Sequence, residues 1–78
     1  MKLYPIPVFS ELTVEHGQLN SKAKIIISTI DGRVIKIVHP FNGASHTPVN
    51  FSTNKPGMYV LRLDDGNGKI ETIKFMKQ

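Results

Sequence analysis

"PGMYVLRLDDGNGKIETIKFMKQ", residues 56–78, decides how this chain folds. Tyr59, Leu61 and Leu63 recur at every second position, with Met58, Val60 and Arg62 between them. A period of two belongs to a β-strand, whose successive side chains point to opposite faces. The cluster Asp64-Asp65-Gly66-Asn67-Gly68 interrupts the run, and a second alternating stretch follows with Ile73 and Phe75 in phase. Two such runs around an Asp/Gly-rich break read as a β-hairpin in which Tyr59, Leu61 and Leu63 face Ile73 and Phe75. Ahead of it, Pro56 and Gly57 suit the two central positions of a type II turn, proline for its fixed φ and glycine for a positive one.

The same alternation extends outward from the hairpin. "ELTVEH" (11–16) sets Leu12, Val14 and His16 on one face and Thr13 and Glu15 on the other. "KAKIIIST" (22–29) sets Ala23, Ile25 and Ile27 against Lys22, Lys24 and Ile26. "IDGR" (30–33) predicts a tight hairpin turn with Asp31-Gly32 at its positive-φ positions. "RVIKIVH" (33–39) is the returning strand, with Ile35 and Ile37 on one face. "HTPVNFS" (46–52) is a short strand that Pro48 confines to an edge or an irregular start. "LYPIPV" (3–8) is an extended lead-in restricted to a sheet edge, because Pro5 and Pro7 lack an N–H. Ala occurs only twice, and no stretch sustains a helical period. The expected fold is all-β: a small antiparallel Ig-like β-sandwich of six to seven short strands, without a substantial helix, forming a single domain over residues 1–78.

At 78 residues the chain allows one modest core. Domains this small bury roughly 60% of the surface their unfolded chains expose, too little to wrap a large pocket. There is no Cys, which rules out disulfides and Cys-based zinc frameworks, and no Trp. Ten Lys plus Arg stand against six Asp plus Glu. The lysines are spaced along strand-like segments, the pattern of solvated faces and edge protection rather than of a phosphate track, so no nucleic-acid partner is expected. "MKLYPIPVF" is too short and too proline-broken for a signal peptide, and "IIISTI" is far below membrane-spanning length.

Catalytic and metal chemistry find little support. His16, His39 and His46 are dispersed, so neither a metal site nor a cofactor is expected. "DDGNGKIE" has the look of a calcium loop, but its fifth position is Lys69 where an oxygen ligand is needed, and a hairpin turn explains its glycines better. Ser45 and His46 are neighbours that strand alternation points apart, which speaks against a hydrolytic triad. "NFS" (50–52) matches a glycosylation sequon but falls in an expected strand.

Four pieces, in order, resemble a known family: "YPIPVFSELTV" (4–14), "IIISTIDGRVIKI" (25–37), "KPGMYVLRL" (55–63) and "KFMKQ" (74–78). The chain resembles the type A C-terminal sorting domain of the type IX (Por) secretion system of Bacteroidota. It departs from that pattern at Ile6, where the family usually has Asn between the two prolines, and at Asn54, where a Leu is usual.

The resemblance implies an address label fused behind a cargo protein. Such a label is carried into the periplasm, read by the outer-membrane translocon and commonly removed by a sortase-like peptidase, leaving the cargo at the cell surface or in the medium. The family motif residues Tyr4, Pro5, Pro7, Gly32, Pro56, Gly57, Tyr59, Leu61, Leu63 and Phe75 are expected to be mainly structural. Arg33, Lys74, Lys77 and Gln78 are the candidates for recognition and are expected to be exposed, with Lys74 and Lys77 on opposite faces of one strand. A terminal strand at a sheet edge suits recognition by strand addition, and the same edge is compatible with an edge-strand dimer. Removing residues 74–78 is expected to abolish export while sparing much of the fold. The competing readings are a carbohydrate-binding or adhesive β-sandwich, which needs an exposed aromatic platform, and a passive Ig-like spacer.

Overall fold

In a computed structural model, which describes every residue except 20 and 42, the alternating segments become strands. These are β1 (Lys2–Tyr4), β2 (Glu11–Glu15), β3 (Lys24–Thr29), β4 (Val34–Val38), β5 (His46–Asn50), β6 (Gly57–Asp64) and β7 (Ile70–Lys77), with no helix among the described residues. They form two antiparallel sheets, one in the order β1-β2-β5 and one in the order β4-β3-β6-β7. The chain is an all-β sandwich. Pro48 lies on β5, an edge strand, and Pro5 and Pro7 follow the edge strand β1, as a missing N–H requires.

The inward residues are those whose phase predicts it. Leu12, Val14 and Val49 come from the three-stranded sheet; Ile25, Ile27, Tyr59, Leu61, Leu63 and Phe75 come from the other. In the final hairpin Tyr59 lies opposite Phe75, and Leu61 opposite Ile73. Phe51, just past β5, fills the space between the layers. Its ring meets Tyr59 at 4.9 Å and Phe75 at 5.4 Å, both edge to face. Such aromatic pairs contribute about 0.5–1.5 kcal/mol beyond simple burial. The one polar tip of this trio is satisfied, since the Tyr59 hydroxyl donates to the Lys55 carbonyl at 2.5 Å.

Three local expectations are corrected. Ile35 and Ile37 do not share a face, because the register of β3 against β4 shifts at Ile27/Ser28. Ile35 sits at that irregularity and packs on the core with Val38, while Ile37 turns out to solvent. The β3–β4 turn uses one positive φ, at Gly32 (+94°), rather than two. Its Gly32 N–H donates to the Thr29 carbonyl and its Thr29 N–H to Arg33, which is the geometry of a three-residue hairpin loop. Finally, Gly57 (φ +148°) opens strand β6 opposite Lys77, and the hydrogen-bonded turn lies earlier, where Asn54 N–H donates to the Phe51 carbonyl.

The layers are stitched along both sides. Lys36, opposite Ile27 on β4, carries its ammonium to the Asn50 carbonyl at 2.5 Å. On the other side the chain crosses after β1, and Val8 bridges Lys77 in parallel. The Val8 N–H donates to the Met76 carbonyl at 2.9 Å, and the Gln78 N–H donates to the Val8 carbonyl at 2.8 Å. The Met1 ammonium lies 3.5 Å from the Glu71 carboxylate.

Candidate functional site

β7 is the outer strand of the four-stranded sheet, and its parity assigns its side chains. Ile73, Phe75 and Lys77 point inward; Thr72, Lys74 and Met76 point outward. Lys74 and Lys77 therefore take opposite faces, as their spacing requires. Lys74 is exposed. Lys77 is not: it retains 6% of its surface, contrary to the expectation that both lysines are displayed. It is in phase with the core, and Val8 lies alongside it. Its aliphatic stem extends the apolar interior while the ammonium donates to the Gln78 backbone oxygen at 2.8 Å.

The strand's backbone edge is partly open. Because the Met76 carbonyl faces outward to Val8, alternation turns the N–H and C=O groups of Lys74, Thr72 and Ile70 the same way. Among the described residues no strand pairs with them there. Gln78 is exposed, with its N–H held by Val8.

Arg33 is also exposed, at the far edge of the same sheet. It is level with Phe75 but three strand spacings away, about 14 Å. The structure does not bring Arg33 together with Lys74. Its backbone is fixed by Thr29, whose hydroxyl accepts the Arg33 N–H at 3.2 Å and also donates to the Asp31 carboxylate. That hydroxyl bond, with the nearby Arg33 charge, holds the Asp31 carboxyl below its ordinary pKa. Of the motif residues, Tyr59, Leu61, Leu63 and Phe75 are core, Pro7 is half-buried, and Tyr4, Pro5, Gly32, Pro56 and Gly57 are exposed at bends and strand ends. Val8, Phe51 and the buried Lys77 carry more of the structure than their sequence context reveals.

The polar groups elsewhere serve the chain itself. Ser45 precedes β5, so strand alternation does not govern it, and its hydroxyl does meet His46 Nδ1 at 2.8 Å, against expectation. His46 Nε2 lies 3.5 Å from Glu15. The order Ser-His-carboxylate is that of a hydrolytic triad, but Ser45 and His46 are exposed, Glu15 is only half-buried, and no cavity among the described residues gives a substrate walls or oxyanion donors. His16 donates from Nδ1 to the Gly17 carbonyl and engages the Thr47 hydroxyl with Nε2, which occupies both ring nitrogens. Asp64 accepts the Gly66 N–H, and Asp65 accepts those of Asn67 and Lys69, so these carboxylates shape the hairpin loop.

What this molecule presents to others is surface: strand edges and two sheet faces. It is an all-β recognition module. The family model described as "secretion system C-terminal sorting domain" matches residues 2–78, and the chain belongs to that family, the C-terminal sorting signals of type IX secretion. It is a secretion tag, which implies engagement of the type IX system and export across the outer membrane to the cell surface or medium. No curated protein and no solved structure matches the chain.

Proposed function

We propose that residues 1–78 form a single sorting domain at the C-terminus of a larger cargo protein. The folded domain is read in the periplasm by the type IX translocon and then cut from its cargo by a sortase-like peptidase. The observation that carries this reading is the placement of β7: an edge strand, open from Ile70 to Lys74, with Lys74 displayed outward. Such an edge can accept a partner's strand through main-chain hydrogen bonds. Lys74, Gln78 and Arg33 are the residues we assign to direct recognition; Lys77 acts by bracing the strand from inside. Isolated domains also pair edge to edge in this reading. The edge best suited to that is β4, whose only charge, Lys36, is drawn across to Asn50 and leaves the strand without an outward-facing charge.

The test fuses residues 3–78 behind a periplasmic reporter in a host with and without a working type IX translocon. Surface delivery only with the translocon is the expected outcome; equal retention in both hosts overturns the reading. Lys74→Glu is expected to lower delivery without loss of folding. It replaces the deletion of residues 74–78 as a probe, because that deletion removes the core residue Phe75 and the Val8 bridge and so cannot spare the fold.

A further inference from the structure

The outer face of the four-stranded sheet is not built like a solvated sheet face. Antiparallel sheets with one wet side normally alternate apolar-in with polar-out. Here several outward positions are aliphatic or thioether. Ile37 (53% exposed), Val34 (51%), Met76 (45%) and Met58 (42%) lie on this face, with Ile26 and Val60 half-buried between them. Ile70 (56%) stands apart at the start of β7, opposite Asp64.

The registers arrange them. Ile37 lies opposite Ile26, Ile26 is diagonal to Val60, and Val60 is diagonal to Met76, which lies opposite Met58. The result is an apolar band crossing all four strands obliquely. Along one flank of that band stand three cations: Lys24, Arg62 opposite Ile26, and Lys74 opposite Val60. The one carboxylate on this face, Asp64, already accepts the Gly66 N–H. Contiguous exposed apolar surface with a polar rim marks an interaction site.

We propose that this face docks a protein surface bearing an apolar ridge flanked on one side by carboxylates. The identity of that partner as a component of the type IX translocon rests on the sorting reading above. The charge pattern selects this occupant. A second copy docked through the same face sets the same three cations against these, with Asp64 its one carboxylate there. Its Glu11 and Glu15 lie on the other, polar sheet face, which has no apolar ridge. A lipid bilayer presents headgroup charge uniformly, whereas these cations follow one side of a shaped band. A protein ridge matches both features, with the apolar centre supplying affinity and the charged flank supplying register and approach rate.

The experiment measures binding of the 78-residue chain to immobilised, detergent-solubilised type IX translocon at low and high ionic strength. Arg62→Glu is expected to weaken binding about tenfold at low salt, with the difference shrinking at high salt. Ile37→Ser is expected to weaken it several-fold at both. Glu11→Lys, on the opposite sheet's outer face, is expected to leave binding unchanged, and circular dichroism verifies the fold of each variant. If wild type binds and both face variants bind equally well, the docking face is overturned while the sorting reading stands. If wild type neither binds nor delivers a fused reporter, both fall. A dimer that Ile37→Ser converts to monomer, with translocon binding intact, assigns the face to a second copy instead. Binding to anionic phospholipid vesicles that Arg62→Glu abolishes, again with translocon binding intact, assigns it to membrane. Either outcome overturns the proposal.

Discussion

The two outer faces of this sandwich obey the same geometry and carry opposite chemistry. On the three-stranded sheet the outward positions are Lys2, Tyr4, Glu11, Thr13, Glu15, His46, Pro48 and Asn50, polar for the most part and cross-paired, as where Glu15 meets His46 at 3.5 Å. On the four-stranded sheet Val34, Ile37, Ile26, Val60, Met58, Met76 and Ile70 stand beside three cations, with Ser28, Asp64 and Thr72 as the remaining polar positions. One chain of one composition has produced a face suited to water and a face suited to a partner. Fold stability needs only the inner faces to be apolar, so the outer contrast reports a different requirement, that of being read.

The strongest challenge to this contrast sets adjacent residues of β7 against each other. Phe75→Ala opens the aromatic cluster and is expected to cost about 3–5 kcal/mol, whereas Met76→Ser is expected to change stability by no more than about 0.5 kcal/mol. Urea denaturation of both variants gives the comparison directly. A comparable loss for Met76→Ser makes the outer face part of the scaffold and removes the contrast.

A smaller effect separates the two lysines. Lys77→Met keeps the stem and removes a buried charge, so its stability should be unchanged or higher by about 1 kcal/mol, with reporter delivery retained. Lost delivery from a stable Lys77→Met protein would show that the ammonium itself is recognised.

The smallest effect lies in the β3–β4 turn. The folded Asp31 carboxyl titrates below its unfolded value, so it stabilises the fold at neutral pH and loses that contribution as pH falls through the folded pKa. Asp31→Asn should therefore lower the urea midpoint slightly at neutral pH and have no effect in strong acid. A deficit that persists in acid assigns Asp31 a role other than its charge.

Much of this was legible because a period of two is written residue by residue. Leu12, Val14, Ile25, Ile27, Tyr59, Leu61, Leu63 and Phe75 all lie where alternation puts them. The failures share a cause: they depend on contacts remote in sequence or on a shift that no residue type announces. The register shift at Ile27/Ser28 parted Ile35 from Ile37, although no residue type in "VIKIV" marks a bulge. Lys77 looked exposed because lysine usually is, and nothing in "KFMKQ" reveals that Val8 lies beside it. Phe51 was legible only as part of the strand "HTPVNFS"; that strand ends at Asn50, and the packing of two sheets is what leaves Phe51 fully buried between them. The face chemistry was partly visible in Ile26 among lysines, but an oblique band exists only once three registers are known.

The parallel bridge between Val8 and Lys77 has a consequence in time. Nearly the whole chain separates these two residues, and contacts of such long sequence separation close slowly and late. While the polypeptide is being synthesised, the Val8 groups wait unpaired until Gln78 has emerged to take the carbonyl. A chain lacking Met76 to Gln78 lacks the clasp that fixes the outer strand. The outer strand is thus clasped only when two segments from opposite ends of the fold meet, so its final closure waits on both.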